Sequence, residues 1–248
     1  MSDQNNVLSF YHTLASKLSL LANWHVIHDK NEIIKQVSKV IPTNSTVQEY
    51  LSDDAKAIDL GLPSGTKWAS CNIGANKPEE YGNYYAWGEI EDNTNYSWNT
   101  YSHCDGSKVG CYLLGMNISN TDYDTAKMIW GIGWQMPSSE QIEELIKNCS
   151  FEIMIVNDIK GGKFTGPNGN SIFLPAAGYY SESEIFDKGK TGYYWTSSMY
   201  TDYDKSNAYS IKIEIDCNDY QPEPPQTSYE SRCCGLPVRP VWNPEPPV

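Results

Sequence analysis

Apolar residues in the first 55 positions recur at intervals of three and four, the spacing of one helix face. The residues that share this face in the first helix are Val7, Phe10, Tyr11, Leu14, Leu18 and Leu21. Asp29 with Glu32 resembles a capping box and opens a second helix, which ends before Pro42. The pattern therefore predicts a helical N-terminal extension over residues 1–55. Its apolar faces must pack either on the main domain or on another copy of the chain.

From Ile58 onward the pattern changes to short alternating apolar runs, separated by glycine, asparagine and proline. Pro63-Ser64-Gly65 predicts a first turn. Gly161-Gly162 and Asn168-Gly169 predict two hairpin turns, because these residues tolerate a positive φ angle. The runs that predict the later strands are FEIMIVN, KFTG, SIFLPAAGYY, YYWTSSMY, NAYSIKIEI and LPVRPVW.

One further helix is predicted within this region, where Ser138 and Gln141 form a capping box. Its apolar stripe consists of Ile142, Leu145 and Ile146. The segment QPEPPQTSYESR, residues 221–232, is predicted to be an exposed loop, because its prolines exclude a central strand. Helices beside antiparallel hairpins indicate an α+β domain over residues 56–242. The tail, residues 243–248, is expected to be extended.

Composition narrows the possible functions. The chain has 248 residues, 18 Lys and Arg against 31 Asp and Glu, and a formal net charge of -13. Such a charge argues against binding to nucleic acid or to anionic membrane surfaces, both of which favour basic proteins. No run approaches the roughly 20 apolar residues of a membrane-spanning helix, so no membrane insertion is expected. The N-terminus lacks the basic start of a secretory signal, which makes the cytoplasm the default compartment.

The seven cysteines are odd in number and widely spaced, unlike a disulfide scaffold. No CxxC pair occurs. His103-Cys104 with Cys111 is the one locally ligand-like group, and it is incomplete for zinc. We therefore expect reduced or buried thiols, with no metal and no cofactor.

Six sequence blocks, in one unbroken order, resemble the Fibrobacter-type major paralogous domain found across gut Bacteroidetes. The blocks are DLGLPSGTKWASCNIGA, EEYGNYYAWGE, WQMPSSEQIEELI, TGPNGNSIFLPAAGYY, GYYWTSSMY and GLPVRPV. The resemblance covers about residues 57–242 and does not cover residues 1–55. It implies a C-type-lectin-like fold, with two helices flanking a small antiparallel sheet. That fold is related to formylglycine-generating enzymes and to the variable proteins of diversity-generating retroelements.

The stretch YTDYDKSNAY, residues 200–209, combines tyrosine with small polar residues. Tyrosine supplies rigid contact area at low entropic cost, and Ser, Asn and Asp supply adaptable hydrogen bonds. The resemblance implies that the variable residues of related proteins lie in this C-terminal third. The candidate ligand-binding residues are Tyr200, Asp202, Tyr203, Asp204, Asn207 and Tyr209, with Trp195 as the floor of the site. The alternative is that the strand residues are ordinarily solvated, with Trp195, Tyr193 and Tyr194 in the core.

Calcium is a second candidate ligand, since C-type lectins can hold it with carboxylate and amide oxygens. The available groups are Asp202/Asp204, Asp216/Asn218/Asp219 and Asp122/Asp124. No EPN or WND sugar-site triplet is present. Solvated acidic loops are therefore the favoured interpretation.

An enzymatic function is the main alternative. Formylglycine-generating enzymes use two nearby cysteines late in the fold, and Cys233-Cys234 lies late in this chain, with Cys217 before it. Adjacent cysteines point to opposite sides of a strand, so this pair cannot face one substrate. Three of the four histidines fall in the helical extension, which leaves no Ser-His-Asp arrangement.

Two kinds of large side chain are predicted to be structural. Arg239, between two prolines, is expected to pair with a buried carboxylate or with backbone carbonyls. The tryptophans expected in the core are Trp68, Trp87, Trp130 and Trp134.

Together these observations favour a non-enzymatic recognition module that binds a protein or a glycan. The N-terminal helices would then pack on the module or form a homo-oligomer. The alternatives are a modifying enzyme that uses the late cysteines, and a structural component of a phage or surface assembly.

Overall fold

The structure is a computed structural model that describes residues 57–131, 133–201, 205–216 and 221–242. The chain divides into two units, residues 1–50 and residues 51–248, and all described residues belong to the second. The predicted helical extension over residues 1–55, its self-association and the predicted extended tail lie outside the described residues.

A four-stranded antiparallel sheet joins the two ends of the described chain. Its order is β1 (Ala57–Asp59), β2 (Lys67–Ala69), β12 (Val241–Trp242) and β3 (Trp134–Gln135). The predicted turn between β1 and β2 is confirmed. The Gly65 amide donates to the Leu62 carbonyl at 2.9 Å, and Gly65 has a φ of 75°.

Two short helices and one turn of 3₁₀ helix, Lys108–Gly110, lie in the described part of the chain. Helix α2 (Ser139–Asn148) begins with the predicted capping box between Ser138 and Gln141. Its apolar side chains pack into the core, as their spacing indicates. Helix α1 (Thr125–Trp130) was not predicted, because it is only six residues long.

The strands after α2 form a second antiparallel sheet of β4 (Ser150–Val156), β5 (Ile159–Thr165) and β6 (Ser171–Pro175). The turn at Asn168-Gly169 is confirmed by the φ of 86° at Gly169. The turn predicted at Gly161-Gly162 is wrong. The chain turns instead at Asn157 and Asp158, whose φ angles are 48° and 66°.

The two glycines lie inside β5 because aromatic rings occupy the space beside them. A Cβ atom would lie 2.4 Å from the ring of Phe173 at Gly161 and 2.3 Å from the ring of Phe151 at Gly162. They are close-approach glycines rather than turn glycines.

The last strands form a two-stranded hairpin and a three-stranded antiparallel sheet. The hairpin pairs β7 (Tyr179–Ser181) with β8 (Glu184–Phe186). The sheet has the order β11 (Gln226–Ser231), β10 (Asn207–Glu214), β9 (Thr191–Met199). The predicted loop over residues 221–232 is therefore partly wrong. Its prolines precede β11, which is an edge strand, and edge strands tolerate neighbouring prolines.

The described domain is an α+β arrangement of small antiparallel sheets with few helices, as predicted at that level. Trp68 and Trp87 are buried in the core, as expected. Trp130 and Trp134 are only half-buried, and with Trp242 they form a row of edge-to-face rings. No helix in the ranges given above is long and apolar enough to cross a bilayer.

Candidate functional site

Trp195, the predicted floor of the binding site, is a core residue. It is fully buried in β9, and its indole Nε1 donates to the Tyr85 carbonyl at 2.7 Å. Tyr193 and Tyr194 are buried beside it. The assignment of Trp195 to the ligand surface is therefore wrong, because its polar edge is satisfied internally and its rings are shielded from solvent.

Tyr200 also differs from the prediction, since only 8% of the residue is exposed. Its ring stacks on Tyr229 at a centroid distance of 4.1 Å, with an interplanar angle of 16°. The ring of Tyr209 meets Tyr200 edge-on at 5.1 Å. Tyr200 is thus a support for the two other rings rather than a surface residue.

The surface of this tyrosine cluster, defined as Tyr200, Tyr209 and Tyr229, is formed by the other two members. Tyr209 on β10 is directly opposite Tyr229 on β11, so both rings lie on the same side of the sheet. Tyr229 is 47% exposed, while Tyr209 and the predicted Asn207 are half-buried. The remaining predicted residues, Asp202, Tyr203 and Asp204, lie outside the described residues.

The sequence does not predict a site residue at Tyr229, because a loop is predicted over residues 221–232, where the structure has β11. The segment TSYES carries the missing signal, since Thr227 and Tyr229 alternate with serine and glutamate after the last proline. That alternation is typical of a strand, and it places Tyr229 and Thr227 on one face.

An exposed apolar segment lies beside the same end of the sheet. This segment, residues 109–116, carries Val109, Tyr112, Leu113 and Met116, which are between 52% and 93% exposed. The Met199 amide at the end of β9 donates to the Met116 carbonyl at 2.9 Å. The backbone of β9 therefore connects the apolar segment to the strand that leads into Tyr200.

Arg232 connects two neighbouring loops through hydrogen bonds to their backbone carbonyls. It is fully buried, and its Nη1 donates to the Tyr112 carbonyl at 2.9 Å and to the Lys205 carbonyl at 2.8 Å. Its Nε donates to the Tyr101 hydroxyl at 2.9 Å, and its guanidinium carbon lies 4.7 Å from the ring centroid of Trp87. One guanidinium thus holds both the apolar segment and the loop before β10.

An open cavity of about 390 Å³ lies next to these loops. Its lining includes Glu89, Asp122, Tyr123 and His103, and the sequence reasoning did not identify it. His103 Nε2 lies 3.0 Å from the Gly88 carbonyl, and the ring meets Tyr123 edge-on. Burial lowers the pKa of His103, which favours the neutral imidazole.

The acidic side chains proposed for calcium do not converge within the described residues. Asp124 is buried and caps α1, accepting backbone N–H groups from Asn120, Ala126, Lys127 and Met136. Asp122 is 91% exposed. In the ranges that the structure covers, no group of three His, Cys, Asp or Glu residues could hold a metal ion.

Other members of the calcium groups have different surroundings. Asp216 forms an ion pair with Lys160, and this hydrogen bond lowers the pKa of the Asp216 carboxyl. Asn218 and Asp219 lie outside the described residues, as does the Asp202/Asp204 pair.

Cys233 and Cys234, the two late cysteines that the structure describes, are both buried. Cys233 and Cys234 are 6% and 8% exposed, and Cys217 lies outside the described residues. The neighbouring Cys234 and burial both raise the pKa of the Cys233 thiol far above its usual range. Since the thiolate is the nucleophile, this environment disfavours Cys233 as a nucleophile.

Glu230, the residue after Tyr229 in the sequence, has a carboxyl group with a raised pKa. It lies opposite Ala208 in the sheet, on the side away from Tyr209 and Tyr229. Burial raises its pKa to about 7 from an ordinary 4.5; Lys212 acts against this rise and Asp187 adds to it. Between these two pH values the folded chain binds a proton that the unfolded chain releases.

The folded state should therefore lose stability as the pH rises from about 5 to about 8. Because Glu230 is only partly shielded, we expect its contribution to be about 2 kcal/mol. Glu230→Gln should remove it, which makes the variant the more stable protein at the higher pH. Urea unfolding of both proteins across this pH range measures the difference in the free energy of unfolding. If that free energy varied with pH in the same way for both proteins, the prediction would be contradicted.

No family model matches this sequence, and neither a curated protein nor a solved structure matches it. The likeness to the paralogous-domain family therefore rests on the quoted sequence blocks. The geometry itself gives a rigid sheet end that carries aromatic rings, next to an exposed apolar segment and an acidic cavity.

Proposed function

We propose that the chain is a non-enzymatic recognition module with a C-type-lectin-like fold, and that its ligand is a protein. The observation that carries the proposal is the pairing of Tyr209 and Tyr229 on the sheet, where Tyr200 supports both rings. Residues 109–116 are joined to the strand before Tyr200 through the Met199–Met116 backbone hydrogen bond. This surface, consisting of the tyrosine cluster and the apolar segment, is called the recognition surface below.

The tyrosine cluster favours binding because its rings are already fixed. Tyr200 stacks on Tyr229 and contacts Tyr209, so the rings lose little conformational freedom when a ligand packs on them. Tyrosine also keeps a hydroxyl at the end of an apolar ring, and this combination is frequent at the centres of interfaces.

Exposed apolar area favours a protein ligand over a glycan. Within the described part of the chain, four of the twelve exposed large apolar side chains lie on the eight residues 109–116. Contiguous exposed apolar surface is typical of protein interaction sites. Leu113 and Met116 can be buried by a protein partner, whereas a sugar's hydroxyl groups gain little from them.

The C-type-lectin-like fold is supported by the sequence blocks and by the small antiparallel sheets with two short helices. An experimental structure of residues 57–242 in the context of the full chain tests it directly. The related diversification of the surface is tested in the neighbouring DNA, where a reverse-transcriptase gene beside a near-identical template repeat is expected.

The double variant Tyr209→Ala/Tyr229→Ala should lose ligand binding while it keeps its fold. Removing two rings from the centre of an interface is expected to weaken binding about 100-fold or more. The full chain is applied to a protein array and a glycan array, and each specific signal is repeated with the variant by surface plasmon resonance. Circular dichroism confirms that the variant is folded.

Phe186→Ala is the matched control, because Phe186 is a 40% exposed aromatic residue on the separate β7–β8 hairpin. It should bind like the wild type. Equal binding by the double variant would reject the recognition surface. Signals confined to the glycan array would replace the protein ligand with a carbohydrate.

A further inference from the structure

Two cysteines face each other across neighbouring extended segments. Cys104 and Cys111 form an antiparallel β-bridge. The Asp105 amide donates to the Gly110 carbonyl at 3.2 Å, and the Tyr112 amide donates to the His103 carbonyl at 2.9 Å. These two bonds flank the cysteines, which therefore occupy a non-hydrogen-bonded pair, the narrow position of an antiparallel ladder.

Such a position suits a disulfide. The Cα atoms of non-hydrogen-bonded pairs lie about 4.5 Å apart, within the roughly 4.4–6.8 Å that a disulfide spans. Directly opposite side chains also project to the same side of the ribbon. Cys104 and Cys111 accordingly belong to one buried apolar cluster, with exposures of 8% and 9%.

The other described cysteines are less suited to pairing. Cys233 belongs to the same cluster, but its immediate neighbour Cys234 could be linked to it only with strain. Cys71 is not a member of this cluster, and Cys149 caps the end of α2 and packs against a different one. None of these four is paired across a β-bridge with another cysteine in the described residues.

We propose that Cys104 and Cys111 are a redox-sensitive pair that forms an intramolecular disulfide. The oxidant is a small-molecule disulfide such as oxidised glutathione. One cysteine thiolate attacks it, which forms a mixed disulfide and releases one glutathione thiol. The second cysteine then displaces the other glutathione. The two protein thiols lose two protons and two electrons, and the external disulfide gains them as two thiols.

Access to the thiols requires local opening of the exposed 3₁₀ turn, which precedes the Tyr112 carbonyl that Arg232 holds. The 3₁₀ turn between the two cysteines, Lys108–Gly110, contains no buried residue, and Val109 is 93% exposed. Segments with so few buried contacts open at small free-energy cost. The disulfide would then close this loop covalently, directly before Tyr112 and Leu113 of the apolar segment.

Peptide mapping of the folded full chain tests the pair. Lys108 lies between the two cysteines, so trypsin separates them into residues 68–108 and residues 109–127, since the Lys77-Pro78 bond resists cleavage. After incubation with oxidised glutathione, these two peptides should appear as one linked species that a reductant separates. The oxidised chain should melt about 5 °C above the reduced chain, because a short loop has been closed.

Cys71→Ser is the matched control, since Cys71 lies on the same tryptic peptide as Cys104. The link should survive in Cys71→Ser and disappear in Cys104→Ser and Cys111→Ser. A folded wild-type chain that stays reduced, while its urea-unfolded form reacts with the same oxidant, would overturn the proposal. A link from Cys104 or Cys111 to Cys233 would overturn it as well.

Discussion

Arg239→Met is expected to lower the free energy of unfolding by roughly 4 kcal/mol, the largest effect that we predict for one substitution. The chain contains two arginines, and both are almost completely shielded from solvent. Arg239 is 1% exposed, and its hydrogen-bond acceptors are three backbone carbonyls and one side-chain amide oxygen. The sequence prediction left open a carboxylate or backbone carbonyls as its partner, and the structure shows carbonyls.

The guanidinium of Arg239 holds together two distant parts of the domain. Its Nε donates to Asn72 Oδ1 at 2.8 Å, and its Nη1 donates to the carbonyls of Ala69 and Ser70 at 3.1 Å. Its Nη2 donates to the Phe173 carbonyl at 3.0 Å, on β6. Methionine would fill similar space but leave four buried acceptors without donors, and each such loss costs about 1 kcal/mol or more.

Burial lowers the pKa of Arg239 to about 10, which still leaves the guanidinium charged near neutral pH. Arg239→Lys keeps a charge but cannot reach four acceptors in a fork, so it should lose roughly half as much stability. Urea unfolding followed by tryptophan fluorescence measures both variants. Since hydrophobic replacements of buried charges are sometimes neutral, a methionine variant as stable as the wild type would show that these acceptors find other donors.

Local sequence signals predicted the local structure well. The capping box at Ser138 and Gln141 and the turn at Gly65 depend on residues a few positions apart, and both are present. The turn predicted at Gly161 and Gly162 is wrong because the need for glycine there comes from residues distant in sequence. The rings that exclude a side chain there, Phe151 and Phe173, belong to other strands.

Two of the predicted ligand-binding residues, Trp195 and Tyr200, are buried in the structure. Alternation along β9 and β10 shows that neighbouring tyrosines face opposite ways, but it cannot show which face the rest of the chain covers. Tyr200 is covered by Tyr229, which is 29 residues away along the chain. The contact between Tyr200 and Tyr229 depends on the position of β11 in the sheet. The prolines before β11 predict a loop, so the sequence did not indicate this strand.

Arg232→Ala is expected to loosen the recognition surface as well as to destabilise the domain, by roughly 3 kcal/mol. Unlike Arg239, Arg232 leaves one nitrogen, Nη2, without a hydrogen-bond partner among the described residues. Its bonds go to loops: Tyr112 in the apolar segment, Lys205 before β10, and the Tyr101 hydroxyl. Removing it deprives two loop carbonyls of their donor and opens a cavity under Trp87.

Hydrogen–deuterium exchange distinguishes this local effect from a general loss of stability. In Arg232→Ala, the amides of residues 109–117 and 205–207 should exchange at least about tenfold faster than in the wild type under native conditions. The amide exchange rates of β4 and β5, in the separate sheet, should rise only as much as the overall loss of stability requires. Binding of the array ligand should weaken in proportion to the loop exchange.

Arg239→Lys is the matched control for Arg232, because it removes hydrogen bonds of the chain's other arginine and leaves the recognition surface intact. At equal overall stability, reached by adding urea to the more stable of the two variants, Arg239→Lys should keep its affinity while Arg232→Ala does not. Equal affinities of the two variants would mean that Arg232 supports the core alone. The rigidity of residues 109–116 would then not contribute to recognition.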